Sequence, residues 1–211
     1  MNFLNKMERK FGRYAIHNLS AYIIALYVAG YLLYFFAPSS IFGYLTLEPY
    51  YILHGQIWRL VTWILIPPES PGIFTIIMLF FYYSLGNSLE QTWGAFRYNV
   101  YIFMGMISTV LGAFLLYAIF GGNVLFGSAL FSTYYINMSI FLAFALSYPN
   151  MQVMLYFFIP IKMKWMGILY GFFIVYSFVK SSWVGKVAII ASLLNFIVFF
   201  LMTRDYRRVS P

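Results

Sequence analysis

The chain has 211 residues, of which 63% are hydrophobic, 23% aromatic and only 9% charged. A soluble domain needs roughly a quarter of its residues charged, so this composition predicts an integral membrane protein. The complete absence of cysteine excludes thiol catalysis, disulfides and thiolate metal sites. The formal net charge of +8 comes from basic residues at the chain ends and between apolar runs, which orient a membrane protein rather than bind nucleic acid.

Charged residues divide the chain into apolar segments, because an ionised side chain at mid-bilayer costs about 2.5 to 3.5 kcal/mol. A helix needs about 20 apolar residues to cross the hydrocarbon core. The sequence therefore predicts one all-α membrane domain over 1–211 with six transmembrane helices, at about 17–37, 71–92, 96–120, 126–147, 165–178 and 184–203. Residues 151–161 are apolar but too short to cross, and they contain Pro160, so we expect an interfacial or re-entrant link there.

The connection between the first two predicted helices is long and mixes charged residues and prolines with many aromatic residues. It covers residues 38–71 and is called the first loop below. Loops of this length without structure are uncommon in compact domains. We expect the first loop to be structured and to lie at the interface between lipid and water.

Basic residues are distributed unequally between the two sides of the six-helix arrangement. One side has Arg59, Lys180 and Lys186. The other side has Lys6, Arg9, Lys10, Arg13, Arg97, Lys162, Lys164, Arg204, Arg207 and Arg208. Basic residues favour the cytoplasmic side. We therefore expect both termini in the cytoplasm, the first loop on the other side, and a multi-pass protein of a bacterial plasma membrane.

Two motifs follow each other along the chain, HGQIWRLVT at 54–62 and LGNSLEQTWG at 85–94. They resemble the rhomboid superfamily, whose members carry a G-x-x-W-R-hydrophobic-hydrophobic-T segment in the first loop and an L-G-x-x-L/V-E-x-x-x-G segment at helix 2. The matching positions are Gly55, Trp58, Arg59, Thr62, Gly86, Glu90 and Gly94. The resemblance is specific over about residues 50–105 and implies a rhomboid-like fold.

Physical chemistry gives several motif residues a structural role. Trp58 is expected to anchor the chain at the bilayer interface. Arg59 lies between apolar neighbours, so we expect its five donors to satisfy carbonyls of the first loop. Glu90 is expected at a solvated helix end near Arg97. The alternative is a carboxylate that accepts backbone N–H groups from the next segment.

Small residues recur at near-helical spacing in the third predicted helix, at Gly105, Ser108, Thr109 and Gly112. Small side chains allow the backbones of neighbouring membrane helices to approach closely. We expect Gly105, Thr109 and Gly112 to form a helix-packing face.

Rhomboid proteases use a serine in a G-x-S-G motif on helix 4 and a histidine base on helix 6, and a serine without a base is a poor nucleophile. The chain has no histidine after His54 and no G-x-S-G, and the nucleophile position falls near Tyr134. The oxyanion-donor positions fall near Phe74 and Met78, which donate no hydrogen bond. We assign no catalytic residue. The weak fallback is Ser128 or Ser132 with Lys180 or Lys186 as base.

The resemblance then implies a catalytically inactive relative, similar to the derlins, that binds transmembrane or membrane-associated client proteins. Membrane lipid and such clients are the expected partners, and nucleic acid is not. We expect no cofactor and no metal, because His54 has no second ligand at suitable spacing. One alternative is an active but atypical intramembrane serine protease. A second is a small-molecule permease or channel.

Overall fold

The computed structural model describes residues 3–67, 71–120, 134–148, 150–155 and 159–203. Helices make up most of this part of the chain. In chain order they are α1 (Phe3–Phe11), α2 (Leu19–Phe36), α3 (Ser40–Leu45), α4 (Pro49–Leu53), α5 (Arg59–Thr62), α6 (Ile73–Trp93), α7 (Ala95–Ile119), α8 (Tyr134–Ser147), α9 (Met163–Lys180) and α10 (Trp183–Thr203). Short 3₁₀ turns follow α1 at Gly12–Tyr14 and α5 at Trp63–Leu65.

Three of the described helices, α2, α6 and α7, are long and apolar enough to cross a membrane by their length and composition. None of the three contains a proline, and their charged residues Glu90 and Arg97 lie near helix ends. Gly94 separates α6 from α7, and its φ of 88° is accessible to glycine without steric cost. The protein is thus a helical membrane protein. The first eight residues of the predicted fourth helix, 126–133, lie outside the described residues.

The link predicted at residues 151–161 contains a β-hairpin, which corrects the all-α expectation. Strand β1 (Gln152–Leu155) pairs antiparallel with β2 (Ile159–Lys162), and Val153 lies opposite Ile161. β-Branched residues favour strands, and Pro160 disfavours a helix because its ring removes a backbone donor. Hydrogen bonds between the two strands therefore satisfy backbone polar groups in this segment, which is too short to cross a bilayer as a helix.

Helix α1 is a second feature that the sequence analysis did not predict, since the first predicted helix began at residue 17. Leu4 is the buried residue of this helix, whereas the basic residues Lys6, Arg9 and Lys10 are exposed. Such a short amphipathic helix is stabilised mainly by packing against the rest of the fold. It contacts the start of α7.

Helix α7 is the centre of the packing and contacts α1, α4, α6, α8 and α10. Its buried residues include Tyr98, Tyr101, Ile102, Ala113 and Leu116. The Tyr101 hydroxyl donates a hydrogen bond to the Ser139 carbonyl of α8 at 2.9 Å. A buried hydroxyl requires such a partner, so this bond fixes α8 against α7.

The first loop is structured by α3, α4, α5 and the 3₁₀ turn at Trp63–Leu65. The 3₁₀ turn packs directly on α2 at Gly30. A Cβ atom added to Gly30 would overlap the Leu65 carbonyl. The first loop is therefore held against the second half of α2.

Candidate functional site

Arg59 is the centre of a buried polar cluster in the first loop, with only 2% of its surface exposed. Its Nε donates to Gln56 Oε1 at 2.7 Å, and its Nη1 donates to the carbonyl and hydroxyl oxygens of Thr46 at 3.1 and 3.0 Å. The guanidinium lies 4.6 Å from the Tyr51 ring centroid. Burial lowers the pKa of Arg59, while the nearby negative charge of Glu48 opposes that shift. The expected contact between Arg59 and a loop carbonyl is present at Thr46.

The other residues of the first motif support the same cluster. The Thr62 hydroxyl donates to the Leu45 carbonyl at 3.2 Å, and Trp58 Nε1 donates to the Tyr44 carbonyl at 3.1 Å. Both bonds tie α5 to the end of α3. Gly55 makes the turn between α4 and α5 with a φ of 104°, which favours glycine. These four motif positions therefore hold the first loop in one shape.

Gly86 forms a second centre, where α2, α6 and α7 approach one another. The hydroxyl oxygens of Ser20 and Tyr98 lie 2.8 Å apart, and both residues are buried. A Cβ atom on Gly86 would overlap both hydroxyl groups. Glycine thus lets a polar contact between α2 and α7 pass directly over α6.

Glu90 lies one helical turn beyond Gly86 and is buried, with 9% of its surface exposed. Its Oε1 accepts the backbone N–H of Asn18 at 2.8 Å. Arg97 instead pairs with Glu8 of α1 at 3.1 Å. The expected solvated helix end is therefore wrong. The alternative, acceptance of a backbone N–H, is present, but the donor belongs to the segment before α2. We call Asn18, Ser20, Gly86, Glu90 and Tyr98 the three-helix junction.

The residues expected to pack helices lie on the buried face of α7. Gly105, Thr109 and Gly112 are all buried, and Thr109 donates its hydroxyl to the Gly105 carbonyl at 2.8 Å. Helix α7 packs along α10. The Thr109 hydroxyl therefore has its hydrogen-bond acceptor within α7. The small residues on this face allow a neighbouring helix to approach closely.

The fallback catalytic residues Ser128 and Ser132 lie outside the described residues. His54 is exposed at the end of α4, and its Nδ1 lies 2.6 Å from the Tyr50 carbonyl. Lys180 and Lys186 lie over the rings of Tyr176 and Phe178, respectively. Within the described ranges, no group of three or more metal-ligating side chains occurs.

A chain of aromatic rings connects α6, α8 and α9. The ring centroids of Phe81 and Phe141 are 6.0 Å apart, and those of Phe141 and Tyr170 are 4.3 Å apart. We call these three residues the aromatic bridge. The spacing of aromatic residues in the sequence does not predict the aromatic bridge, because such residues are frequent throughout the chain.

Helix α9 is attached to the rest of the protein by a narrow face. Its buried residues are Met163 and Ile174, and Gly167 approaches Ala145 of α8 so closely that an added Cβ atom would lie 2.9 Å from the Ala145 Cβ. Most of its large side chains are exposed, including Trp165, Ile168, Leu169, Phe172, Phe173, Val175, Tyr176 and Val179. Helix α9 is thus a peripheral helix that contacts α8 and α10.

The family described as eukaryotic integral membrane protein (DUF1751) matches residues 21–210, and the chain therefore belongs to this family. No curated protein and no solved structure matched the chain. The family is eukaryotic, so the predicted bacterial source is wrong. Apolar runs and flanking basic residues report on membrane insertion, which follows the same physics in every cell, and they carry no information about the organism.

Proposed function

We propose that this member of the eukaryotic integral membrane protein family is a catalytically inactive, rhomboid-like scaffold that binds the transmembrane segments of client proteins. The observation that carries the proposal is the role of the seven positions of resemblance. They fall in the Arg59 cluster, in the three-helix junction and at the adjoining turn at Gly94. The contacts in both centres stabilise the fold, and neither centre contains a nucleophilic side chain next to a base.

The scaffold comprises six transmembrane helices, α2, α6, α7, α8, α9 and α10. Helices α9 and α10 have 18 and 21 residues, which at about 1.5 Å per residue gives roughly 27 and 31 Å. The hydrocarbon core is about 30 Å thick. Lys164 and Lys180 near the two ends of α9 can extend their ammonium groups to the headgroups. An even number of spans returns the chain to the side from which it started.

Client binding is assigned to the membrane-facing surface beside the aromatic bridge, between α6 and α9. Ile77 and Phe173 lie one turn from Phe81 and Tyr170, on the same helix faces, and both side chains are exposed. Met163 and Ile174 are the buried residues of α9, so we expect this helix to be displaced laterally more readily than α7. A client helix would replace lipid against these apolar side chains, where association depends on packing rather than on a hydrophobic driving force.

Site-specific photocrosslinking tests the proposal. A photoactivatable amino acid is placed at Ile77 or Phe173, and matched controls carry it at the exposed positions Leu32 of α2 and Ile119 of α7. The purified variants are reconstituted in liposomes with a panel of single-span helical peptides. We expect at least one peptide to be captured at Ile77 and Phe173 well above both controls, and recovered uncut.

Equal capture of every peptide at all four positions would show only random collisions in the bilayer and would overturn client binding at this surface. Cleavage of a peptide would overturn the inactive assignment. Capture that is confined to Leu32 or Ile119 would place the client elsewhere and equally contradict the proposal.

A further inference from the structure

An open, apolar groove of about 350 Å³ lies between the N-terminal segment and the first half of α7. Phe11, Tyr14 and Ile16 line one side. The α7 side is lined by Phe96, Val100, Phe103, Met104 and Ile107. Asn99 also borders the groove, but its amide is bonded to both the N–H and the carbonyl of Ile16. The groove therefore presents apolar surface to a ligand.

The length of the groove matches the depth of one leaflet. Phe96 and Ile107 are 11 residues apart on α7, which corresponds to about 16 Å along the helix axis. Half of a hydrocarbon core of about 30 Å is about 15 Å. The lining residues of α7 recur every three or four positions and so form one continuous stripe. An acyl chain that lies parallel to α7 would contact this stripe over its length.

Two cations lie against aromatic rings that line the groove. Lys10 Nζ lies 5.3 Å from the ring centroid of Phe11, and the Arg13 guanidinium lies 4.8 Å from that of Tyr14. Arg13 also donates to the Tyr14 hydroxyl at 2.7 Å. Phe11 and Tyr14 both line the groove, so the two cations lie next to it. Neither cation forms a salt bridge within the described part of the chain.

We propose that this groove binds an anionic phospholipid, with one acyl chain along the α7 stripe and the acidic headgroup at Lys10 and Arg13. A zwitterionic lipid could fill the apolar groove but would bring no net charge to the two cations. Glu8, the acidic residue of α1, forms a salt bridge with Arg97 at 3.1 Å, so its charge is largely compensated. The site is independent of the client-binding surface at the aromatic bridge.

Native mass spectrometry of the purified full chain tests the proposal, with phosphatidylserine and phosphatidylcholine of identical acyl chains as probes. We expect the chain to retain phosphatidylserine in preference to phosphatidylcholine. Arg13→Ala and Lys10→Ala should each weaken phosphatidylserine binding about fivefold, because one basic residue near an anionic surface contributes about 1 kcal/mol. Lys164→Ala is the matched control, since Lys164 also lies over an aromatic ring, 5.5 Å from the centroid of Trp165.

Ala15→Trp tests the apolar part of the site, because Ala15 lines the groove and a large side chain there would fill it. Binding of both lipids to this site should fall. Glycerophosphoserine, which has the headgroup without acyl chains, should not displace the lipid. Equal affinity for the two lipids, an equal loss in Lys164→Ala, or displacement by glycerophosphoserine would each overturn the proposal. All the altered residues except Ala15 are exposed charged groups, so the fold should survive their replacement.

Discussion

The carboxylate of Glu90 accepts the backbone N–H of Asn18 at 2.8 Å and thereby joins the end of α6 to the start of α2. The first N–H groups of a helix lack partners within the helix. Asn18 makes no side-chain cap for α2, and its φ is 57°. A residue 72 positions away thus supplies the acceptor, and its negative charge also lies at the positive end of the α2 dipole.

Loss of the Glu90 acceptor should destabilise the protein. Glu90→Ala removes the charged acceptor of the part-buried Asn18 N–H, so we expect the free energy of unfolding to fall by about 1 to 3 kcal/mol. Glu90→Gln keeps one carbonyl acceptor and should lose less. Unfolding in mixed micelles with increasing denaturing detergent measures both variants, with Gln91→Ala at the exposed neighbouring position as control. Equal stability of Glu90→Ala and Gln91→Ala would contradict the capping role.

Gly86 should tolerate no side chain. Gly86→Ala would place a methyl group against the hydroxyls of Ser20 and Tyr98, and we expect a loss of about 1 to 3 kcal/mol. Gly171→Ala in α9 is the matched control, because no atom lies within 4 Å of a Cβ added there. That control should be neutral or stabilising by up to about 1 kcal/mol, from helix propensity. Both variants can be compared in the same unfolding assay.

A double variant tests whether crowding between Gly86 and Ser20 causes the expected loss of stability. Ser20→Gly removes the hydroxyl oxygen that lies closest to a Cβ atom added at Gly86, together with the Ser20 Cβ atom. The double variant Gly86→Ala/Ser20→Gly should be more stable than the sum of the two single changes predicts, as residues in direct contact do not act additively. Strict additivity would show that the close approach of α2 and α6 is not the reason for glycine at position 86.

Arg59 should be replaceable by neither alanine nor lysine. Arg59→Ala removes the donors to Gln56 and to the Thr46 carbonyl, with an expected loss of about 1 to 3 kcal/mol. Lysine keeps the charge but lacks the planar fork, so Arg59→Lys should recover only part of that loss. Limited proteolysis within residues 38–71 reports loop opening directly. If Arg59→Ala is cleaved no faster than the exposed control Lys180→Ala, the Arg59 cluster does not hold the loop.

The six-span arrangement predicts which positions share a side of the membrane. The chain has no cysteine, so single introduced cysteines give a clean background for an impermeant thiol reagent. Cysteines at Lys10 and Pro160 should label from one side, and those at Ser39 and Ser182 from the other. An odd number of crossings between Lys10 and Pro160 would place these two on opposite sides and refute the arrangement.

Purified protein should not react with fluorophosphonate probes, because a serine hydroxyl requires a neighbouring base to become nucleophilic. In-gel fluorescence after labelling measures this directly, with heat-denatured protein as the background. Labelling that disappears in Ser128→Ala or Ser132→Ala would identify an active serine. Lys180→Ala and Lys186→Ala would then decide which base activates it.

Some side-chain roles could be predicted from the sequence because they depend on residues that are adjacent in the chain. Arg59 is flanked by Trp58 and Leu60, so its need for carbonyl partners followed from its neighbours. The partner that it contacts, Thr46, lies 13 positions away, and only the folded loop identifies it. The aromatic bridge was equally invisible, because sequence gives the number of aromatic rings but not which of them meet across three helices.

The sequence by itself determined the membrane character and the approximate bounds of the long helices, because the cost of placing charge in hydrocarbon is a property of each segment. The tertiary structure alone decided how the helix ends are satisfied. Glu90 was expected in solvent beside Arg97, whereas Asn18 and Glu8 are the respective partners of these two residues. Contacts of this kind join residues 72 and 89 positions apart, and their geometry exists only after the helices have packed.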